Sequence, residues 1–129
     1  MSDTLLIIED NEQNFYMMRF LLEKSGFKVI GAENGRVGIE KALRHKPSAI
    51  LLDIQLPEMD GYAVAEELKR HEAIQGVPII AVTSYAMAGD REKILGAGAT
   101  GYIEKPINPD TFVNEIKSYL SKDGGHKED

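Results

Sequence analysis

The feature that most constrains this chain is a rhythm. Short aliphatic runs alternate with longer amphipathic stretches as far as residue 120, and Gly, Pro or Asn closes each run. Runs so brief cannot sustain helices, and their β-branched content suits strands. The expected strands are Leu5 to Ile8, Val29 to Ala32, Ala49 to Leu52, Ile79 to Val82 and Tyr102 to Ile103. The first, third and fourth are continuously apolar, the pattern of strands covered on both faces. Strand and helix in strict alternation predict an α/β fold, a doubly wound five-stranded parallel sheet between two helical layers.

The first helix is expected from near Asn11 to Gly26, with Met17, Met18, Leu21 and Leu22 on one face and Gly26 as a left-handed cap. Others follow from Gly35 to His45, Gly61 to His71, about Ala86 to Leu95, and Pro109 to Leu120. In the last of these, Pro109 suits a first helical position, and Phe112, Val113, Ile116 and Leu120 make the inward stripe. Residues 1–120 therefore read as one domain. Residues 121–129 contain no apolar side chain and a Gly pair, and read as a mobile polar tail.

Composition narrows the chemistry. With no cysteine, a thiolate metal site, a disulfide framework and a cysteine nucleophile are excluded. A net charge of −6 disfavours a polyanionic partner, so no nucleic acid is expected. No apolar run reaches the roughly 20 residues of a bilayer span, and no basic residue precedes Arg19, so the chain reads as soluble and cytoplasmic.

In an open α/β sheet, reactive groups gather beyond the carboxyl ends of the strands. Here those ends carry Glu9 and Asp10, then Asp53, Thr83 and Lys105, while the second strand ends without a reactive pairing. A strand order 2-1-3-4-5 puts that second strand at the edge and lets the other four ends converge. Three carboxylates would then crowd together, and two unit charges about 4 Å apart repel by roughly 4 kcal/mol at an effective dielectric near 20. One lysine cannot neutralise them, whereas a hard divalent cation can, and an open all-oxygen site suits Mg²⁺. The expected ligands are Asp10, Asp53 and a backbone carbonyl just after Asp53, with Glu9 acting through water. A carboxylate so held, beside an ammonium and a hydroxyl, is placed to accept a phosphoryl group. Asp53 is the best nucleophile because it ends a central strand opposite Thr83 and Lys105.

Four motifs stand in order: Glu9-Asp10-Asn11, the run from Leu52 through Asp53, Gln55, Pro57 and Glu58 to Gly61, Val82-Thr83-Ser84, and Lys105-Pro106. Together, over residues 4 to 120, they resemble the response-regulator receiver domain of bacterial two-component signalling, with its flavodoxin-like fold. The resemblance implies that Asp53 is the phosphoacceptor and that Glu9 and Asp10 are the acidic pair, with Glu9 in place of the commoner Asp. It implies further that Gln55 supplies the carbonyl ligand, that Thr83 and Tyr102 form a switch with Lys105, and that the Lys105-Pro106 peptide is cis. A sensor histidine kinase or histidine phosphotransfer protein would donate the phosphoryl group, and an unknown protein target would receive the signal, since no output domain follows residue 120. Gln55 and Tyr85, two positions past Asp53 and Thr83, would influence dephosphorylation.

Tyr16 and Phe20 lie four apart on the first helix, off its apolar face, and should face water. With Pro106 they are the expected docking residues for the phosphodonor. Two rival functions share parts of this pattern. A phosphatase of the haloacid dehalogenase type needs a general acid two residues after its nucleophile, and that position is the neutral Gln55. A flavodoxin-like flavin binder needs a phosphate-cradling loop after the first strand, where acids stand instead. The run Gly96 to Gly101 formally matches a dinucleotide fingerprint but follows a helix where that motif should follow a strand.

Overall fold

A computed structural model describes residues 3–56, 59–84 and 88–124. Five strands, β1 (Thr4–Ile8), β2 (Lys28–Ala32), β3 (Ala49–Asp53), β4 (Ile79–Thr83) and β5 (Gly101–Glu104), alternate with α1 (Glu12–Lys24), α2 (Gly35–His45), α3 (Gly61–Lys69), α4 (Ala88–Gly96) and α5 (Phe112–Gly124). All strand pairs are parallel and the order is β2-β1-β3-β4-β5, as the sequence predicts.

The side-chain period of a strand divides the core in two. Leu6, Ile8, Ile50 and Leu52 face Ala42 of α2 and Val64, Ala65 and Leu68 of α3. Leu5, Ile7, Leu51, Ile80 and Val82 face Met18 and Leu22 of α1 and Phe112 and Ile116 of α5. Every residue of β3 and β4 is buried, which accounts for their unbroken apolar sequences. A third cluster, Ile54, Ala81, Ile94 and Ala99, seats α4, with Tyr62 and Tyr102 packed at its margins.

Helix starts follow side-chain caps: Asn11, Asn34 and Asp60 accept from the amides of Asn14, Val37 and Ala63 at 2.8, 2.9 and 2.9 Å. Gly26 takes a left-handed φ of 99° just past α1, where the sequence places the cap. Gly98, with φ 118°, turns the chain after α4.

Three helix boundaries differ from expectation. Pro109 does not begin α5; Asn108 caps a preceding turn, its side chain accepting from the Asp110 amide at 2.9 Å and its carbonyl from Phe112 at 2.9 Å, and the regular helix starts at Phe112. At its other end α5 continues through Gly124, because a polar run is no obstacle to backbone bonding already under way. The expected tail thus gives its first four residues to the helix, and 125–129 lie outside the described residues. α3 stops at Lys69 rather than His71, since the amides of Arg70 and His71 bond three residues back at 3.1 Å and lead into a 3₁₀ turn, Glu72–Ile74. The expected start of α4 at Ala86, and Pro57, Glu58 and Tyr85, also lie outside the described residues.

Candidate phosphoacceptor site

The chain leaves β1 toward β2 on one side and β3 toward β4 on the other, so a crevice opens between the carboxyl ends of β1 and β3. In-register pairing aligns the groups around it. Ile8 lies beside Leu52, Asp53 beside Val82, and Thr83 beside Glu104. The pairing continues one residue past the strands: Glu9 N–H donates to Ala32 O at 3.0 Å, and Lys105 N–H donates to Thr83 O at 2.8 Å. Glu9 and Lys105 are therefore fixed at the backbone before their side chains contribute anything. Gly61 closes the floor, its amide donating to Ile54 O at 3.0 Å. A Cβ there would stand 2.5 Å from Ile54 Cα and 2.7 Å from Asp53 O, so only glycine permits this approach of α3 to the Asp53 loop.

Carboxylate oxygens of Glu9, Asp10 and Asp53 lie within 4.8 Å of one another, with Glu9 and Asp53 buried and Asp10 exposed. Lys105 Nζ reaches Glu9 Oε1 at 3.4 Å and Asp53 Oδ1 at 3.5 Å, so one ammonium serves two buried acids. Backbone donors complete the set: Gln55 N–H gives Asp53 Oδ1 a hydrogen bond of 2.9 Å, and Asn11 N–H gives Glu9 Oε2 one of 3.3 Å. Glu9 Oε1 is buried without a hydrogen-bond partner; its 3.4 Å contact with Lys105 is an ion pair without hydrogen-bond geometry. Burial, and then the charge of Asp53, push the Glu9 carboxyl up to about 7, against the smaller opposing effects of Lys105 and the Asn11 amide. A buried acid with an unbonded oxygen, beside two further carboxylates, is a donor set that suits a hard divalent cation.

The residues expected from the sequence are found as follows. Thr83 is fully buried at the end of β4. Gln55 is exposed, with its backbone against Asp53. Pro106 is exposed beyond a cis Lys105-Pro106 peptide. Tyr102 is half-buried against the α4 cluster, under the Arg91 guanidinium at 5.3 Å from its ring centroid. Tyr16 and Phe20 are 68% and 62% exposed. An open groove of about 780 Å³ runs from Glu9 and Asp10 along Glu12, Tyr16, Arg19 and Glu33, so the α1 surface is continuous with the acidic crevice. Sequence reasoning missed the Asn11 and Gln55 backbone donors and the Arg91 contact, because the first two carry no side-chain signal and the third joins separate elements.

A receiver-domain model, described as the response regulator receiver domain, matches residues 5–117. The chain belongs to that family. It is 44% identical over 120 residues to the polar-differentiation response regulator DivK of Brucella anthropi, covering 93% of this chain and 98% of that one. The same protein of Brucella abortus (strain 2308) matches at the same identity and coverage, 44%, 93% and 98%. Among solved structures, a putative response regulator from Chloroflexus aurantiacus superposes with a TM-score of 0.89 at 27% identity, covering 94% of this chain and 99% of that one. The receiver domain of sensor histidine kinase PA1611 from Pseudomonas aeruginosa, which has a magnesium ion coordinated in its active-site cleft, gives 0.82 at 34% identity, covering 95% and 97%. The chain is thus a response-regulator receiver domain of two-component signalling, with the flavodoxin-like arrangement of that class. No helix among its described residues is long and apolar enough to cross a membrane.

Proposed function

We propose that this protein accepts a phosphoryl group on Asp53 from the phosphohistidine of a sensor kinase or histidine phosphotransfer protein, in a Mg²⁺-dependent step, and passes the signal to a protein target in the cytoplasm. The observation that carries this reading is the Asp53 carboxylate itself. It is buried, within 4.8 Å of two other carboxylates, and 3.5 Å from an ammonium. Asp10, Asp53 and the Gln55 carbonyl would hold the ion, with Glu9 behind it. When bound, Mg²⁺ supplies the positive charge that lets three carboxylates and a phosphoryl group share one crevice.

In the transfer, a carboxylate oxygen of Asp53 forms the new O–P bond as the N–P bond of the donor histidine breaks, and the electron pair leaves with the imidazole. The Gln55 amide holds Asp53 Oδ1 and so orients the carboxylate. Lys105 is within reach of both acids and can exchange its Asp53 contact for one with the arriving phosphoryl oxygens. Thr83, at the end of the next strand, supplies a hydroxyl to those oxygens, and Tyr102 follows it inward as the switch. Tyr16, Phe20 and Pro106 form the surface that receives the donor. The protein assists its own phosphorylation and dephosphorylation and is no turnover enzyme.

The test is phosphoryl uptake from acetyl phosphate and from a phosphorylated histidine donor, read as an intact-mass gain that hydroxylamine removes. Asp53→Asn should take up nothing, and chelation of Mg²⁺ should abolish uptake by the unaltered chain. Undiminished labelling of Asp53→Asn would refute the assignment.

A further inference from the structure

α4 is lightly held. Ile94 is the buried side chain among its described residues, and Arg91, Glu92, Lys93 and Leu95 are exposed. At roughly 100° per residue, Arg91 and Lys93 fall on opposite sides of the inward direction marked by Ile94. Each lies over an aromatic ring of a different neighbour. The Arg91 guanidinium is 5.3 Å from the centroid of Tyr102 on β5, and Lys93 Nζ is 4.4 Å from that of Tyr62 on α3. Both rings sit at the edge of the small cluster that seats the helix. α4 is thus clasped by one cation on each flank.

We propose that Arg91 is a positioning residue that holds Tyr102 in the half-buried place it takes beside α4, outward of its switched position, and thereby sets the resting balance of the switch, while Lys93 ties α4 to α3. This rests on the reading of Tyr102 as the residue that moves. A ring that turns inward leaves the guanidinium, so the contact exists in one state and not the other. An interaction present in only one of two states shifts their ratio by its whole worth. For a cation over a ring at an exposed site that is about two- to fivefold. Tyr62 has no part in the switch reading, so on this proposal its contact with Lys93 leaves the ratio unchanged.

The experiment uses ¹³C-labelled tyrosine in the full chain, with the Tyr102 ring signal assigned by Tyr102→Phe. Its two end points are the Mg²⁺ form alone and the form saturated with beryllofluoride and Mg²⁺. Arg91→Gln should move the resting signal toward the beryllofluoride position, raising the inward-to-outward ratio about two- to fivefold. Arg91→Lys should recover part of the shift, and Lys93→Gln should leave the Tyr102 signal where it was. A resting signal unchanged in Arg91→Gln, or moved equally by Lys93→Gln, overturns the proposal. If beryllofluoride binds, as read by ¹⁹F, but Tyr102 stays in place in the unaltered chain, the switch reading fails and the latch with it. If beryllofluoride does not bind at all, the phosphoacceptor reading is what fails, and the Arg91 proposal falls with it.

Discussion

Replacing Glu9 by Gln should make the metal-free protein more stable at alkaline pH. Glu9 is 3% exposed, and its carboxyl titrates at about 7 in the fold against 4.5 as a free side chain, chiefly through burial and then through the charge of Asp53. A carboxyl raised by folding favours the native state in its protonated form. Its contribution is fully present below 4.5 and is lost as the pH rises through 7. Above that range the native protein carries a buried charge at a cost of ~3 kcal/mol, from 1.36 kcal/mol per pH unit. Gln keeps the shape and removes the charge, and Lys105 keeps Asp53 as a partner. Urea unfolding followed by circular dichroism should therefore show Glu9→Gln exceeding the parent by up to ~3 kcal/mol at about pH 8, with the gap closing at about pH 4. Added Mg²⁺ should narrow the alkaline gap, because an ion that binds the native parent stabilises it by mass action. A gap independent of pH, or a variant less stable than the parent at alkaline pH, would refute the crowded-acid account.

Three further outcomes follow from the geometry. Gly61→Ala presses a methyl against backbone atoms of Ile54 and Asp53 and should cost ~1–3 kcal/mol in urea unfolding while slowing uptake from acetyl phosphate. Gly26→Ala, strained at φ 99° but with open space around it, should cost ~1 kcal/mol and leave uptake unchanged. Tyr16→Ala with Phe20→Ala removes aromatic surface that is 68% and 62% exposed, and should slow transfer from the histidine donor but not from acetyl phosphate. Equal rates from both donors would remove α1 from the docking surface.

Much of the fold was legible because strands buried on both faces leave uninterrupted aliphatic runs, as in Ala49 to Leu52 and Ile79 to Val82. The candidate site was legible as a set: one polar residue at a strand's carboxyl end is commonly a cap or turn, but Glu9, Asp10, Asp53, Thr83 and Lys105 stand at four such ends of one sheet. What stayed hidden was set by backbone geometry. Pro109 fits a first helical turn by its own preference, but Asn108 decided where the regular helix begins. Lys46, a non-glycine, closes α2 with φ 47°, and no sequence rule singles it out. The raised Glu9 carboxyl required knowing how deeply its side chain is buried, and then how near the charge of Asp53 lies.

Because Gly61 lets α3 abut the carbonyl of Asp53, the crevice is built with unequal banks. The bank beneath Asp53 is backbone set close on backbone, with only the Ile54 side chain beside it. Under the proposed phosphorylation of Asp53, that bank would deny movement one direction and leave it the way across the crevice, toward the ends of β4 and β5. Gly61, the first residue of α3, would then be the anvil against which the proposed switch is struck.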